Sequence, residues 1–340
     1  MRPVVATLAT LALILVGCGT ASHPPGQTAV HHRGSTSSST PSDGPSPTNS
    51  RSPRSGPTAP PTTLPTVSRG SLPHVMLIME ENQGYAATLG DCSADRYICS
   101  LASKYASASN WYGVSHPSLP NYLAVTSGST LGCASDSCGT YSGDNLGNQL
   151  SLAGIPWTGY MESMPSACYT GSSSGEYAAK HNPFVHYGDV LGSTCARHVL
   201  PYPGPSGLVS ALDGVSAPDF VWITPNLIDD MHDGTIADGN SWLQTNLAPV
   251  LASAWFTGYR STVIVTMDEN GAESSGGCCG SALGGQIPEI IISRNAVGRG
   301  KVSASGDHYG TLRTIEEAYA LPLLGAAAHS ANGDLSSLFG

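Results

Sequence analysis

Residues 113–128 read Gly-Val-Ser-His-Pro-Ser-Leu-Pro-Asn-Tyr-Leu-Ala-Val-Thr-Ser-Gly, and the expected fold and site both depend on this segment. Two prolines flank Ser118, so the backbone there should be stiff and extended, and the apolar run over residues 119–125 predicts a short helix. Ser118 would then lie at a helix N-terminus, where free backbone N–H groups favour an anion. A serine in this position can attack a phosphate if a neighbouring group lowers the pKa of its hydroxyl. Without such a neighbour it would be a simple helix cap.

Two apolar segments that stop abruptly in acids are predicted to be neighbouring central strands. Residues 74–82 read His-Val-Met-Leu-Ile-Met-Glu-Glu-Asn, and residues 261–270 read Ser-Thr-Val-Ile-Val-Thr-Met-Asp-Glu-Asn. Apolar runs of this kind are typical of buried parallel strands whose C-terminal ends carry a site. We therefore expect a cage of oxygen ligands for one divalent metal ion, built from Glu81, Asn82, Asp268 and Glu269, with Ser118 as a further ligand.

The acids at these strand ends favour metal binding over a plain strand end, because neighbouring buried carboxylates repel each other unless a cation lies between them. Glu80 is expected to point to the opposite face of the sheet, since successive strand residues alternate. The oxygen-rich set suits Mg²⁺, Ca²⁺ or Mn²⁺, and Zn²⁺ stays possible if a histidine joins it. A cation beside Ser118 would favour the alkoxide form of its hydroxyl.

The segments at residues 74–82, 113–128 and 261–270, in this order along the chain, resemble the bacterial phosphoesterase family of acid phosphatases and phospholipases C, within the alkaline-phosphatase-like superfamily. The family's hallmarks are a strand ending in Glu-Asn, a His-Pro-Ser-Leu-Pro-Asn-Tyr turn and a strand ending in Asp-Glu. Further matching segments are residues 160–165, 180–183, 225–226, 230–232 and 307–308. The resemblance implies an alkaline-phosphatase-like α/β fold, a three-layer α/β/α sandwich with a largely parallel central sheet. It also implies hydrolysis of phosphate monoesters through a phosphoseryl intermediate on Ser118.

Several polar residues are candidates for direct roles in this chemistry. The catalytic candidates besides Ser118 are three histidines in matching segments, which could protonate the leaving group or complete the metal shell: His181, His232 and His308. The candidates for holding phosphoryl oxygens or orienting the turn are His116, Asn121 and Asn226. An isolated histidine is more often a structural hydrogen-bonding residue, so the resemblance is what favours a functional role here.

The loop after the Asp-Glu pair departs from the pattern of phospholipase-type relatives. Those relatives carry a Tyr-Asp-His segment there, whereas residues 271–280 read Gly-Ala-Glu-Ser-Ser-Gly-Gly-Cys-Cys-Gly and contain no histidine. We therefore expect a phosphomonoesterase of the acid phosphatase type. The alternatives are a phosphodiesterase or phospholipase C that acts on lipid head groups, and a catalytically silent binding lipoprotein. No Gly-x-Ser-x-Gly segment surrounds Ser118, which disfavours a carboxylesterase.

The N-terminal region predicts export. Arg2 precedes an apolar run over residues 4–16 that is too short for a stable membrane span, and Leu15-Val-Gly-Cys18 looks like a lipobox. Residues 1–17 are therefore expected to be a lipoprotein signal peptide, and Cys18 a lipid anchor on the outer side of the cell membrane; the alternative is ordinary secretion. Residues 18–70 are rich in Ser, Thr and Pro and are expected to be a disordered linker, with a catalytic domain over residues 71–340.

The charge of the expected domain argues against a nucleic-acid partner. The chain has 14 basic and 24 acidic side chains, and residues 1–70 hold five of the basic ones and one of the acidic ones. What remains is strongly acidic with only three lysines, so it lacks the cations that neutralise nucleic-acid phosphates. The same scarcity favours a bound metal ion that offsets the charge of a small phosphorylated substrate.

Eight of the nine cysteines lie in the expected domain, and an even number in an exported chain favours disulfides. Proximity suggests three pairs: Cys92–Cys99, Cys133–Cys138 and Cys168–Cys195. The adjacent Cys278 and Cys279 could pair with each other or elsewhere, because a vicinal bridge is strained. A structural zinc site is the alternative, although no paired Cys-x-x-Cys spacing supports it.

The remaining periodicity predicts alternating strands and helices. Strands are expected over residues 155–162, 219–224 and 287–293, and helices over residues 238–253 and 308–321. In the first helix one face would carry the core-packing side chains Trp242, Leu243, Leu247 and Leu251. Such alternation predicts a largely parallel sheet with helices on both faces.

Overall fold

A mixed β-sheet lies at the centre of the structure, a computed structural model that describes residues 72–92, 96–192, 194–271, 276–279 and 282–340. The expected signal peptide, the Cys18 anchor and the whole of the expected linker lie outside these residues. The described strands are β1 His74–Glu80, β2 Ala106–Tyr112, β3 Trp157–Met161, β4 Ser173–Ser174, β5 Tyr177–Ala178, β6 Val199–Pro201, β7 Phe220–Thr224, β8 Ser261–Met267, β9 Gln286–Ser293 and β10 Gly300–Asp307.

Eight of these described strands form one sheet in the order β10-β2-β9-β8-β1-β7-β3-β6, while β4 and β5 form a small separate hairpin. Strand β9 runs antiparallel to both of its neighbours, β2 and β8. The other neighbouring pairs are parallel. The sheet is therefore largely parallel, as expected from the alternation of strands and helices in the sequence.

The two acid-terminated strands lie side by side at the middle of the sheet. Every residue of β1 and β8 is buried, which explains why both segments are almost entirely apolar. Their register pairs Glu80 with Met267, and the N–H of Asp268 donates to the carbonyl oxygen of Glu80 at 3.0 Å. The residues that follow the strands, Glu81 and Asp268, therefore leave the sheet next to each other.

The described helices are α1 Tyr85–Leu89, α2 Tyr97–Lys104, α3 Ser118–Ser127, α4 Leu146–Leu152, α5 Cys195–His198, α6 Gly204–Leu212, α7 Ile236–Ala252, α8 Ala254–Thr257 and α9 His308–Ala318. They fall into two groups by mutual contact, with α3 packed on α4 and α9, and α7 packed on α2, α6 and α8. None of the helices in the described residues is long and apolar enough to cross a membrane.

The two helix groups cover opposite faces of the sheet. His74, at the start of β1, stacks on Trp255 of α8 with ring centroids 4.7 Å apart. Glu81, seven residues later and therefore on the other face, accepts a hydrogen bond from Tyr122 of α3 at 2.7 Å. This arrangement is the predicted three-layer sandwich.

Local sequence signals explain the ends of the two longest predicted helices. Helix α7 begins with a capping box, in which the Thr235 side chain accepts from the N–H of Asp238 and the Asp238 side chain accepts from the N–H of Thr235. Helix α9 is capped by Asp307, whose side chain accepts from the N–H groups of Tyr309 and Gly310. Both helices lie within three residues of their predicted bounds.

All eight described cysteines are in disulfides. The three pairs suggested by proximity form, with Cα–Cα distances of 5.8, 5.8 and 5.4 Å. Cys278 and Cys279 pair with each other, which answers the question that the sequence left open. The alternative of a structural cysteine zinc site is therefore wrong for the described chain.

Glu289 is a core acid away from the expected site, and it generates a prediction about stability. Glu289 of β9 is fully buried, accepts a hydrogen bond from Thr311 at 2.9 Å, and leaves its second oxygen without a partner in the described residues. Burial raises the pKa of Glu289 to about 7. Because the folded state holds this proton up to higher pH than the unfolded state, the group should lower stability as the pH rises from about 4.5 to 7.

We expect Glu289→Gln to flatten this pH dependence and to be more stable than the parent at pH 8 by up to about 3 kcal/mol. Urea unfolding at pH 5, 6.5 and 8 measures the effect, with the exposed Glu176→Gln as the matched control. Equal slopes of unfolding free energy against pH in parent and Glu289→Gln would contradict this account of the core.

Candidate active site

The expected nucleophile turn forms as the sequence indicates. Pro117 is extended, with φ −76° and ψ −160°, and Ser118 is the first residue of α3. Pro120 also lies in the first turn, where a missing N–H leaves no helical hydrogen bond unmade. Ser118 is buried, and its Oγ donates to Oε2 of Glu81 at 2.9 Å. The hydroxyl therefore already has a carboxylate in place to receive its proton.

Asn121 holds this turn in shape. Its Oδ1 accepts hydrogen bonds from the N–H groups of Val114 and Ser115, both at 2.9 Å. Its Nδ2 donates to the carbonyl oxygen of Ser115 at 2.9 Å and lies 3.3 Å from Oε2 of Glu269. Asn121 would have to give up one of these contacts in order to donate to a phosphoryl oxygen. In this structure its side chain positions the turn.

The acids predicted to bind the metal ion directly follow the ends of β1 and β8. Burial raises the pKa of Glu81 well above its usual range, and the neighbouring charges of Asp268 and Asp230 add to the shift. Burial also raises the pKa of Asp268 to about 6, and burial with repulsion from Asp268 raises that of Glu269 to about 9. Without a counter-charge, Glu269 therefore holds its proton at neutral pH, whereas Asp268 is largely ionised.

This cluster fits a bound cation. Oδ2 of Asp268 is buried and has no hydrogen-bond partner in the described residues, while its Oδ1 accepts from the N–H of Asn82 at 2.9 Å. Asn82 has a φ of 55°, the left-handed conformation that asparagine tolerates better than most residues. A divalent cation would offset the repulsion among the carboxylates and provide the partner that Asp268 lacks.

His181 lies between two of the acids. Its Nε2 is 3.1 Å from Oε1 of Glu81, and its Nδ1 is 3.0 Å from Oδ2 of Asp230. Burial and the nearby Lys180 and His232 lower the pKa of His181 well below its usual range, so its ring is neutral. Burial raises the pKa of Asp230 to about 8. A neutral ring can make both contacts because the carboxyl groups around it retain protons.

Among the described residues, the set of ligand atoms that lie closest together differs from the predicted one, because it contains Glu81 but neither Asp268 nor Glu269. One oxygen of Glu81 and one nitrogen each of His181 and His232 lie within 4.8 Å of one another, which is close enough to hold a metal ion. The sequence placed the two histidines among the catalytic candidates and left a histidine ligand open. The site is thus compatible with a metal ion whose identity the ligand atoms leave open.

Lys180 connects His232 to the start of α3. Its Nζ lies 2.8 Å from Nε2 of His232 and 3.1 Å from Oδ2 of Asp136, whose Oδ1 accepts from the N–H of Leu119 at 3.1 Å. An ammonium group has no lone pair, so Nε2 of His232 accepts from it and Nδ1 donates to Asp233 at 2.7 Å. Lys180 and Asp136 were not predicted as site residues.

His116 and His308, the other two histidine candidates, lie beside the acids that are predicted to bind the metal ion. Nδ1 of His116 lies 2.9 Å from Oε2 of Glu269, and 32% of this histidine side chain is exposed. His308 is fully buried with its Nε2 against the backbone oxygen of Asp268, and burial lowers the pKa of His308 to about 4. His308 is therefore neutral and fixes the position of Asp268.

Asn226 is engaged in its own turn. Its Nδ2 donates to Asp229 at 2.9 Å, and its Oδ1 accepts from the N–H groups of Ile228 and Asp229. Its backbone N–H donates to Glu162, which is one of the acids that raise the pKa of buried Glu80. Asp230 is another of these acids and also raises the pKa of Glu81, so Glu80 and Glu81 share one acidic neighbour. A phosphoryl contact by Asn226 stays a prediction.

Comparisons with known proteins agree with this geometry. The model of the phosphoesterase family matches residues 91–322. The chain is 33% identical to a phosphatidylinositol-3-phosphatase of Mycobacterium tuberculosis over 76% of this chain and 80% of that protein. It is 29% identical to an acid phosphatase of Aspergillus fumigatus over 69% of this chain but 53% of that protein. The chain thus spans about half the length of this fungal relative.

The fold is also found among solved structures. A protein of the alkaline phosphatase superfamily from Vibrio parahaemolyticus superposes with a TM-score of 0.52 and 12% identity, over 77% of this chain and 71% of that one. At this identity the likeness shows the fold alone, and it confirms the predicted alkaline-phosphatase-like architecture.

The contacts of Lys180 generate a prediction. We expect Lys180→Met to lower kcat/KM for phenyl phosphate by about 10²-fold, because it removes a positive charge from the site and leaves Asp136 and His232 without their shared partner. Steady-state kinetics measure the loss, and Lys104→Met makes the same charge change at the end of α2. A Lys180→Met enzyme as active as the Lys104→Met control would show that this ammonium group has no part in the reaction.

Proposed function

Because the chain belongs to the phosphoesterase family and is a hydrolase of phosphoric ester bonds, we propose that it is a metal-dependent phosphomonoesterase of the acid phosphatase type, with Ser118 as nucleophile. The observation that carries this proposal is the 2.9 Å hydrogen bond from Ser118 to Glu81 at a helix N-terminus, beside the orphaned carboxylate oxygen of Asp268. Family membership disfavours the alternative of a catalytically silent binding lipoprotein.

The ligands of the metal ion would be Glu81, Asn82, Asp268, Glu269 and Ser118. When bound there, a divalent cation would supply positive charge that offsets the repulsion among the carboxylates and favours the alkoxide form of the serine. Mg²⁺, Ca²⁺ and Mn²⁺ suit the oxygen donors, and Zn²⁺ suits a set that includes His181 or His232.

The chain's own residues account for the movement of protons. Ser118 Oγ attacks phosphorus and passes its proton to Glu81, the bond from phosphorus to the leaving oxygen breaks, and that oxygen takes a proton from the Lys180–His232 pair. Water then attacks the phosphoserine and returns a proton to the pair, phosphate leaves, and Glu81 returns its proton to Ser118. His232 is suited to this exchange because 24% of its side chain is exposed, against 4% for His181.

Buried histidines would act on the acids rather than on the substrate. His181 orients Glu81, assisted by Tyr122, which donates to Glu81 at 2.7 Å and stacks on the His181 ring. His308 fixes the backbone at Asp268. We therefore assign both histidines a positioning role, and leave contacts with the phosphoryl oxygens to His116, Asn121 and Asn226 as proposals.

A second candidate function is removal of phosphate from a phosphoinositide lipid. The relative that is 33% identical over most of both chains is named a phosphatidylinositol-3-phosphatase, and that reaction is also monoester hydrolysis. Phospholipase C activity would instead release the phosphorylated head group of phosphatidylcholine. Measuring phosphate release from phenyl phosphate and phosphatidylinositol 3-phosphate, and phosphocholine release from phosphatidylcholine, separates the three activities.

The location of the enzyme is proposed to be outside the cytoplasm, lipid-anchored through Cys18 or secreted. The support is the lipobox and the four disulfides, which persist in oxidising compartments. Cell fractionation of a Cys18→Ser variant tests the anchor, since retention in the membrane would contradict it.

We expect Ser118→Ala to lower phosphate release from phenyl phosphate by at least about 10³-fold while the fold is kept, because the attacking oxygen is removed. Acid quenching of the parent during turnover should yield a phosphorylated Ser118 peptide detectable by mass spectrometry. Ser210→Ala, an exposed serine on α6, is the control and should keep full activity. A fully active Ser118→Ala enzyme would overturn the assignment of the nucleophile.

We expect chelation to abolish the activity and a divalent cation to restore it, because the carboxylates then regain their counter-charge. Asp268→Asn should lose activity to the same extent and should bind the cation more weakly. Calorimetric titration with Mg²⁺, Mn²⁺, Ca²⁺ and Zn²⁺ measures binding without turnover, and comparison with His181→Gln separates the oxygen set from the histidine set. Activity that survives complete metal removal would refute metal dependence.

A further inference from the structure

A groove of about 710 Å³ opens beside the candidate active site, between the loop closed by the Cys133–Cys138 disulfide and the hairpin β4–β5. We call it the hairpin groove; its lining includes Asp136, Thr140, Thr170, Ser172, Lys180 and Val185. Its volume is in the range of small-molecule sites. Most of the residues that line the groove have no part in the reaction described above.

The hairpin groove starts next to the reacting atoms. Asp136 and Lys180 line it, and the same Asp136 accepts from the N–H of Leu119, the residue that follows the nucleophile. Lys180 also contacts His232, which is the proposed source of the leaving-group proton. A molecule whose phosphate lies at Ser118 therefore has the groove as a continuation for the rest of its structure.

The walls of the groove are braced. His186 lies between them, with its Nε2 3.1 Å from the carbonyl oxygen of Ala179 and its Nδ1 3.4 Å from that of Gly139, and its neutral ring can donate to one of these two acceptors at a time. One of these carbonyl groups belongs to the segment after the hairpin and the other follows the disulfide loop. The groove is thus a formed feature of the described chain rather than a gap between unconnected loops.

The lining indicates the chemistry of the occupant. Hydroxyl groups of Thr140, Thr170 and Ser172 line the groove, and in the described chain they make no hydrogen bonds of their own. Val185 and Leu191 add aliphatic surface. A ring with hydroxyl groups around its edge and C–H bonds on its faces matches both features.

The charge of the lining limits what else the occupant can carry. Among the described residues that line the groove, Lys180 is the one lysine or arginine. Its ammonium group is already shared between Asp136 and His232. A second phosphate monoester in the leaving group would enter without a free cation to pair with. The groove therefore favours a leaving group that carries no second phosphate monoester.

We propose that the hairpin groove is the leaving-group subsite and takes a polyhydroxylated ring, as in a sugar or inositol monophosphate. This inference rests on the proposed phosphomonoesterase function and names the class of its substrate. The same ring chemistry occurs in free sugar phosphates and in inositol lipid head groups, so the test must include both.

The test compares binding and turnover of glucose 6-phosphate and of phosphatidylinositol 3-phosphate in phosphatidylcholine vesicles. Ser172→Trp fills the groove from an exposed position, and we expect it to raise KM for the preferred source by at least about tenfold. Thr170→Val keeps the shape but removes a hydroxyl, and should raise the same KM about threefold to tenfold. Ser210→Trp on α6 is the matched control and should leave KM unchanged.

Two further measurements test whether Ser172→Trp keeps its phosphoryl position intact and whether a second phosphate weakens binding. Inorganic phosphate occupies only the phosphoryl position, so its inhibition constant should be the same in Ser172→Trp as in the parent if that variant is folded. Glucose 1,6-bisphosphate should bind more weakly than glucose 6-phosphate. A lower KM for the bisphosphate would overturn the inference about charge.

The outcomes distinguish the groove from the reaction. A KM effect with glucose 6-phosphate assigns free polyol phosphates, and one confined to the vesicles assigns an inositol head group; either supports the subsite. Calorimetric binding of glucose 6-phosphate to Ser118→Ala, with and without Ser172→Trp, tests the groove in the absence of turnover. Equal binding and equal KM values in parent and Ser172→Trp would overturn the proposal, whereas absent turnover with groove-dependent binding would overturn only the proposed reaction.

Discussion

Repulsion among buried carboxyl groups is the constraint on which the candidate site depends. The register of β1 and β8 delivers Glu81 and Asp268 together at one edge of the sheet, and Asp230 reaches the same place through His181. Burial makes the ionised forms costly, so the acids must hold protons or share a cation. If apolar side chains stood in place of these acids, the strands would need none of the polar contacts that surround them.

The rest of the site can be understood as support for these acids. Ser118 and Tyr122 lie on one face of α3, and both contact Glu81. His308, at the start of α9, contacts Asp268. Each supporting group comes from a rigid helix that packs on the sheet, so the oxygen atoms are held in place before any substrate arrives. Such preorganisation is what electrostatic stabilisation of a transition state requires.

Much of the fold could be predicted, because apolar runs such as β1 and β8 have few alternatives to a buried parallel strand. Strands β2 and β10 could not, since β2 is rich in Ser and Ala and β10 in Ser and Gly, and β10 at the sheet edge alternates in burial along most of its length. Lys180 lay in a segment that the family resemblance covers and is one of three lysines, a signal that could have found it. Asp136 carried no such signal, because only tertiary contacts bring its loop to Leu119.

The short loop closed by Cys133–Cys138 contains Asp136, which anchors both the first turn of α3 and the single ammonium group beside the nucleophile. Opening this covalent bond would free the loop that presents Asp136. With the two thiols reduced, only non-covalent contacts would hold the carboxylate of Asp136 against the backbone of α3.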